Sequence, residues 1–192
     1  MQIHKRINAR KIVLSYLYQR LFLLSLEQKI QADPELEIPS IEGDHPFFDE
    51  KFLEEIQRIK IAGANENQAV KINLHDMEEQ SLEYLLPYYL KNFFDRWTEE
   101  DIDLDYILQI GSNISLYLPK VSEVVDTYTT TFKYIEMDAV DQAIFLLGYI
   151  ERKIIDTPKE ILMNEMIELG KRYSGEGSPK LINGIFHKIL NA

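Results

Sequence analysis

Two cap-and-proline signatures divide the last 36 residues of this 192-residue chain and leave that stretch little choice but two short helices. Thr157-Pro158-Lys159-Glu160 fits a capping box, in which the Thr157 hydroxyl accepts from a first-turn amide and Glu160 reaches back to the cap. Pro158 suits the first helical position because that amide has no intrahelical partner. A helix is therefore predicted from Pro158, with Ile161, Leu162, Met166, Ile167 and Leu169 at helical spacing. Gly175 and Gly177 supply a turn, and Ser178-Pro179 repeats the signature. A second helix is predicted from Pro179 to about Leu190.

Upstream, helical periodicity again dominates. Ile7 to about Gln28 reads as one long helix with Ile12, Tyr16, Leu17, Leu21 and Leu24 on a stripe. Arg6, Arg10 and Lys11 near its start oppose the macrodipole, a mild local conflict of the kind that marks functional surfaces. Pro34, Pro39, Gly43 and Pro46 predict a loop over residues 32–46. Phe48, Phe52, Ile56 and Ile59 mark a short helix, and residues 62–73 lack periodicity. A stronger stripe follows in Leu82, Leu85, Leu86, Tyr89, Leu90, Phe93 and Trp97, with Pro87 predicted to kink or restart the helix. Its aromatic content predicts packing on the core. Thr98 and Asp101 give another cap signature before Ile102, Tyr106 and Ile110, and Pro119 is predicted to end or redirect that helix. From Asp138 the pattern is helical again, with Val140, Ala143, Ile144, Leu147 and Ile150 on one face. The expected fold class is all-α.

With 45% hydrophobic residues the chain can bury a proper core. No Cys is present and the four His are scattered, which excludes a disulfide framework and predicts neither a metal site nor a cofactor. Residues 12–26 are the most apolar stretch, but Ser15, Gln19 and Arg20 interrupt it, so neither a membrane span nor a signal peptide is predicted and a cytoplasmic location is expected. The acid cluster Glu99, Glu100, Asp101, Asp103 and Asp105 has no His partner, no Gly-rich loop and no EF-hand glycine. Catalysis is not expected.

The net charge of -11 argues against nucleic acid, yet its distribution is uneven. Residues 1–30 carry +5, residues 31–157 carry -17 and residues 158–192 carry +1. If the two ends of the chain meet, they form a basic patch, while the acidic middle suits a basic protein partner.

Three segments together resemble the NusB family of bacterial transcription antitermination factors. They are the Arg-rich start with Ala9-Arg10 and Leu17-Tyr18-Gln19, the run from Asp138 to Glu151, and the closing series from Asn164 through Tyr173 to Ile182-Asn183-Gly184. The resemblance covers roughly residues 4–28 and 103–190. It implies a helical bundle of two packed helical subdomains, a single domain over 1–192, a helical insertion over 33–97 and a C-terminal core over 103–190. It also implies a factor without chemistry of its own, acting in a transcription elongation complex. Such a factor binds boxA-type single-stranded RNA together with a NusE-type small-subunit ribosomal protein.

Carried over by position, the RNA candidates are Lys5, Arg6, Arg10, Lys11, Tyr18, Lys180 and Asn183, with Asp141 where the family has an acid near the RNA. On the residues alone, the cations read first as a solvated face and Tyr18 as a core ring with its hydroxyl at the surface, while Asn183 could also support the turn and Asp141 the N-terminal cap. Three positions depart from the family. Leu181 replaces a Phe that could stack on a base, Leu146 replaces an Arg that could meet a phosphate, and Ile150 replaces a Glu. These losses, with the acidic total, predict weaker or altered RNA recognition that depends more on a protein partner; the competing reading is a protein-interaction module that keeps the fold and has lost RNA binding. Residues 99–126 are the acidic face expected to dock the ribosomal protein.

Overall fold

The computed structural model describes residues 2–33, 54, 56–58 and 82–191. The sequence readings for residues 34–53 and 59–81 lie outside the described residues. Seven α-helices carry the architecture described here: α1 (Gln2–Ala32), α2 (Leu82–Asn92), α3 (Leu104–Gly111), α4 (Ile114–Tyr128), α5 (Ala139–Ile150), α6 (Lys159–Tyr173) and α7 (Ser178–Asn191). Among the described residues there is no strand.

α5 is the hub. Every residue from Val140 to Glu151 is buried, because α1, α4, α6 and α7 all pack around it. An all-round apolar helix is what the run between Asp141 and Glu151 encodes, since no charged side chain interrupts it. Close approach is needed as well. A Cβ on Gly148 would meet the Met166 sulfur at 2.9 Å and the Phe186 ring closer still, and one on Gly170 would meet Ile182 Cδ1 at 2.5 Å. α6 and α7 therefore form a hairpin pressed onto α5. α1 also packs along α5, with Ala9, Ile12, Val13, Leu14, Tyr16 and Leu17 in the same continuous core. Leu82, Leu85, Leu86 and Tyr89 of α2 join it, so that the stripe does pack on the core.

Several local expectations are corrected. α1 is longer than its apolar stripe at both ends. Pro119 neither ends nor redirects its helix: it lies inside α4, and the chain instead breaks at Ser112-Asn113. One helix likewise runs across Pro87. Both prolines face solvent, where water can satisfy the carbonyl that loses its amide partner. Thr98 and Asp101 do close a cap, with the Thr98 amide donating to Asp101 at 2.9 Å, but it starts only a 3-10 turn. Asp103 caps α3, accepting from the Tyr106 amide at 3.1 Å. Ile161, expected on the apolar face of α6, is 51% exposed.

Thr157 also departs from its expected role. It is buried and donates to Glu151 at 2.7 Å instead of capping α6, which begins at Lys159. The chain reaches it through a π-type turn (Glu151–Ile155) and Asp156, whose φ of 55° is the left-handed conformation that reverses a helix end. That reversal brings Thr157 back onto Glu151.

Candidate nucleic-acid interface

Of the eight residues singled out from sequence, the structure divides those that reach solvent from those that hold the scaffold. Arg10 belongs to the second group. It is 4% exposed, and its guanidinium donates to Glu151 at 3.0 and 2.7 Å and to Glu165 at 2.9 Å. Glu151 is fully buried and accepts two further hydrogen bonds, from Tyr106 and Thr157 at 2.7 Å each, so each carboxylate oxygen receives two donors. Burial pushes the Glu151 carboxyl up, but Arg10 and the two hydroxyls outweigh it and hold the pKa below the ordinary value. Burial likewise opposes the charged Arg10, and its two carboxylates more than compensate. This network ties α1 to α3, to the end of α5 and to α6. In this arrangement Arg10 is not available to a phosphate.

Asp141 is also structural. It is 4% exposed and accepts from Ser174 at 2.7 Å and Ser178 at 2.8 Å, clasping the α6–α7 turn to the start of α5. Burial raises its pKa above the usual carboxylate value despite those donors. It does not cap its own helix, as the sequence also allowed.

The remaining candidates reach solvent. Arg6 is half-buried, paired with Asp103 at 2.7 Å and lying over the Tyr106 ring at 4.6 Å. Lys5 is half-buried nearby. Lys11 is half-buried with its ammonium 5.4 Å from the Trp97 ring centre. Lys180 and Asn183 are exposed, three residues apart on the outer face of α7. Asn183 supports no turn.

Tyr18 is half-buried, and burial, then the neighbouring Asp138, pushes its pKa up to about 12. It lines a cleft of about 500 Å³ between α1, the start of α5 and the α6–α7 turn, together with Phe22, Tyr173 and Ser174. Sequence reasoning passed over Arg172 and Tyr173. A Lys-Arg pair in the last turn of a helix reads simply as a complement to the macrodipole.

The departures acquire a physical meaning. Leu146 and Ile150 are fully buried in α5, so neither position offers a phosphate contact in this chain, and the expected loss at Leu146 is corrected to a core substitution. Leu181 is half-buried against the core. The acids of the middle segment remain partly free: Glu99, Glu100, Asp105 and Glu123 are exposed, whereas Asp101 is engaged by Thr98 and Asp103 by Arg6 and the α3 cap. Among the described residues, no group of His, Asp and Glu could hold a metal ion, and no helix is long and apolar enough to cross a membrane.

Comparison with known proteins agrees with this geometry. A model of the NusB family matches residues 55–191, which takes in α2 to α7 and begins inside the segment read as an insertion. The transcription antitermination protein NusB of Clostridium botulinum is 34% identical over 92 residues, covering 47% of this chain and 64% of that protein. Its counterpart from Campylobacter jejuni is 31% identical over 88 residues, covering 46% of this chain and 67% of that protein. The chain thus spans about two thirds of the length of the curated relatives it matches. With a family match over more than two thirds of its own length, and a buried hub helix flanked by the helices that carry the resemblance, the chain belongs to the NusB family.

Proposed function

We propose that this chain is a transcription antitermination factor that binds boxA-type single-stranded RNA and a NusE-type ribosomal protein within a transcription elongation complex. The observation that carries the RNA half is the cleft between α1 and the α6–α7 turn. There Tyr18, Phe22 and Tyr173 present aromatic surface, with Lys29 on one wall and Lys180 in the first turn of the helix that follows the cleft. Aromatic faces beside cations suit unstacked bases and a phosphate backbone, and need no catalytic group. Lys5, Arg6, Lys11, Tyr18, Lys180 and Asn183 are the contact residues of this reading. Arg10 and Asp141 position them, one by fixing α1 and the other by fixing the turn before α7. The exposed acids of residues 99–123 suit a basic protein, which supports the ribosomal-protein half.

Charge reversal tests the reading at residues that the fold can spare. Lys5→Glu with Lys180→Glu should weaken RNA binding at least tenfold and flatten its salt dependence, with thermal stability unchanged. Unchanged RNA affinity in the double variant would remove these two lysines from the interface. A wild-type chain that binds the ribosomal protein but no RNA would establish the interaction-module reading instead.

A further inference from the structure

The acid-rich segment that leads into α3 is stitched along the first turns of α1. The Asp103 amide donates to the Lys5 carbonyl at 3.2 Å, and Asn8 Nδ2 donates to the Asp101 carbonyl at 3.1 Å. Asp103 is thereby fixed beside Arg6, and its two carboxylate oxygens have separate duties. Oδ1 accepts from the Tyr106 amide at 3.1 Å as the cap of α3, and Oδ2 accepts from Arg6 Nε at 2.7 Å. Turning the carboxylate away from Arg6 would break the cap. The Arg6 guanidinium also lies over the ring of Tyr106 at 4.6 Å, and that ring is anchored by its hydroxyl bond to Glu151. Among the described residues Arg6 hydrogen-bonds through Nε alone, and its side chain keeps 32% exposure. A phosphate therefore reaches Arg6 with Asp103 beside it.

We propose that Asp103 is an intramolecular competitor for the RNA phosphate at Arg6, an electrostatic brake that lowers the affinity of the α1 start for RNA of any sequence. This rests on the RNA-binding reading above, in which Arg6 is a contact, and adds to it a residue that opposes binding. Tyr106 already orients the guanidinium, so the acid is not needed to aim it. What Asp103 adds is negative charge where RNA brings the same. Glu99, Glu100 and Asp105, exposed on the same segment, extend that charge. Non-specific RNA binding rests on phosphate contacts alone, so the brake discards RNA that offers nothing further to bind.

The test is a double-mutant cycle in the full chain: wild type, Asp103→Asn, Arg6→Gln and the double variant, each read as affinity for a short boxA-like single-stranded RNA across a salt series. Asn caps a helix about as well as Asp, so α3 keeps its start, and Asp103→Ser provides a second uncharged cap should the Asn variant fail to fold. Asp103→Asn should bind roughly two- to fivefold tighter at low salt, the range that a partly exposed ion pair supplies. Its slope of log K against log salt should steepen by up to about 0.7 as Arg6 regains a full phosphate contact. In the Arg6→Gln background the same change should gain much less. If the wild type binds RNA and the uncharged caps bind no tighter, Asp103 does not compete, and the RNA-binding reading stands without it. An equal gain with and without Arg6 overturns the ion pair as the cause. If neither the wild type nor Asp103→Asn binds RNA, both readings fall.

Discussion

Arg10→Ala should be among the most damaging single changes in α1, and its damage should depend on pH. The substitution removes three hydrogen bonds and leaves the Glu151 carboxylate at 0% exposure with only the Tyr106 and Thr157 hydroxyls as donors. Removing one partner of a buried ion pair costs about 3–5 kcal/mol. In the native chain Glu151 has a depressed pKa, so its contribution is present above the unfolded carboxylate value and is lost as pH falls through the folded one. Without Arg10 only burial and two neutral donors act on it, and burial raises the pKa. The variant then carries a penalty at pH 7 that protonation relieves on acidification. Urea unfolding followed by circular dichroism at pH 7 and near pH 4.5 should therefore show a stability gap of about 3–5 kcal/mol that narrows at the lower pH. The double variant Arg10→Met with Glu151→Leu, which removes both charges and keeps the volume, should recover most of the loss. A gap below about 1 kcal/mol, or one that is equal at both pH values, would refute the assignment of Arg10 as a scaffold residue.

The same substitution should act with opposite sign at two glycines. Gly148→Ala drives a methyl into Phe186 and Met166 and should cost about 1–3 kcal/mol, whereas Gly184→Ala, in an exposed helical position with nothing near its Cβ, should gain up to about 1 kcal/mol; thermal unfolding of both variants checks this. Asp141→Ala leaves Ser174 and Ser178 without their shared acceptor and should cost about 1–3 kcal/mol, with amide exchange accelerated around residues 174–178 and unchanged in the middle of α1. Uniform acceleration along the chain would contradict a local clasp.

The elements that were legible in the sequence are those encoded by short-range patterns. Ser178-Pro179 and the apolar period from Asp138 locate α7 and α5 to within a residue, because caps and periodicity act within one or two turns. Pro119 and Pro87 misled because proline removes an amide wherever it stands, and the cost depends on whether water can reach the freed carbonyl. Solvent exposure is a tertiary fact. Arg10 and Arg6 look alike in sequence, four residues apart on one helix. Only the fold brings Glu151, 141 residues away, against Arg10 and leaves Arg6 at a half-exposed pair. Thr157 carries a full cap signature, yet a buried carboxylate six residues earlier is the better partner for its hydroxyl. The candidate site was legible as a set of basic and aromatic positions. Its division into contact and scaffold residues was not, nor was the cleft in which Tyr173 comes to lie with Tyr18.

The most direct test of the proposed role is a salt titration of binding to a short boxA-like single-stranded RNA, with and without the cognate NusE-type ribosomal protein. The account predicts RNA binding that tightens when the ribosomal protein is present and weakens steeply with salt, with a slope reporting several phosphate contacts. RNA binding absent in both conditions, with the ribosomal protein still bound, would contradict it.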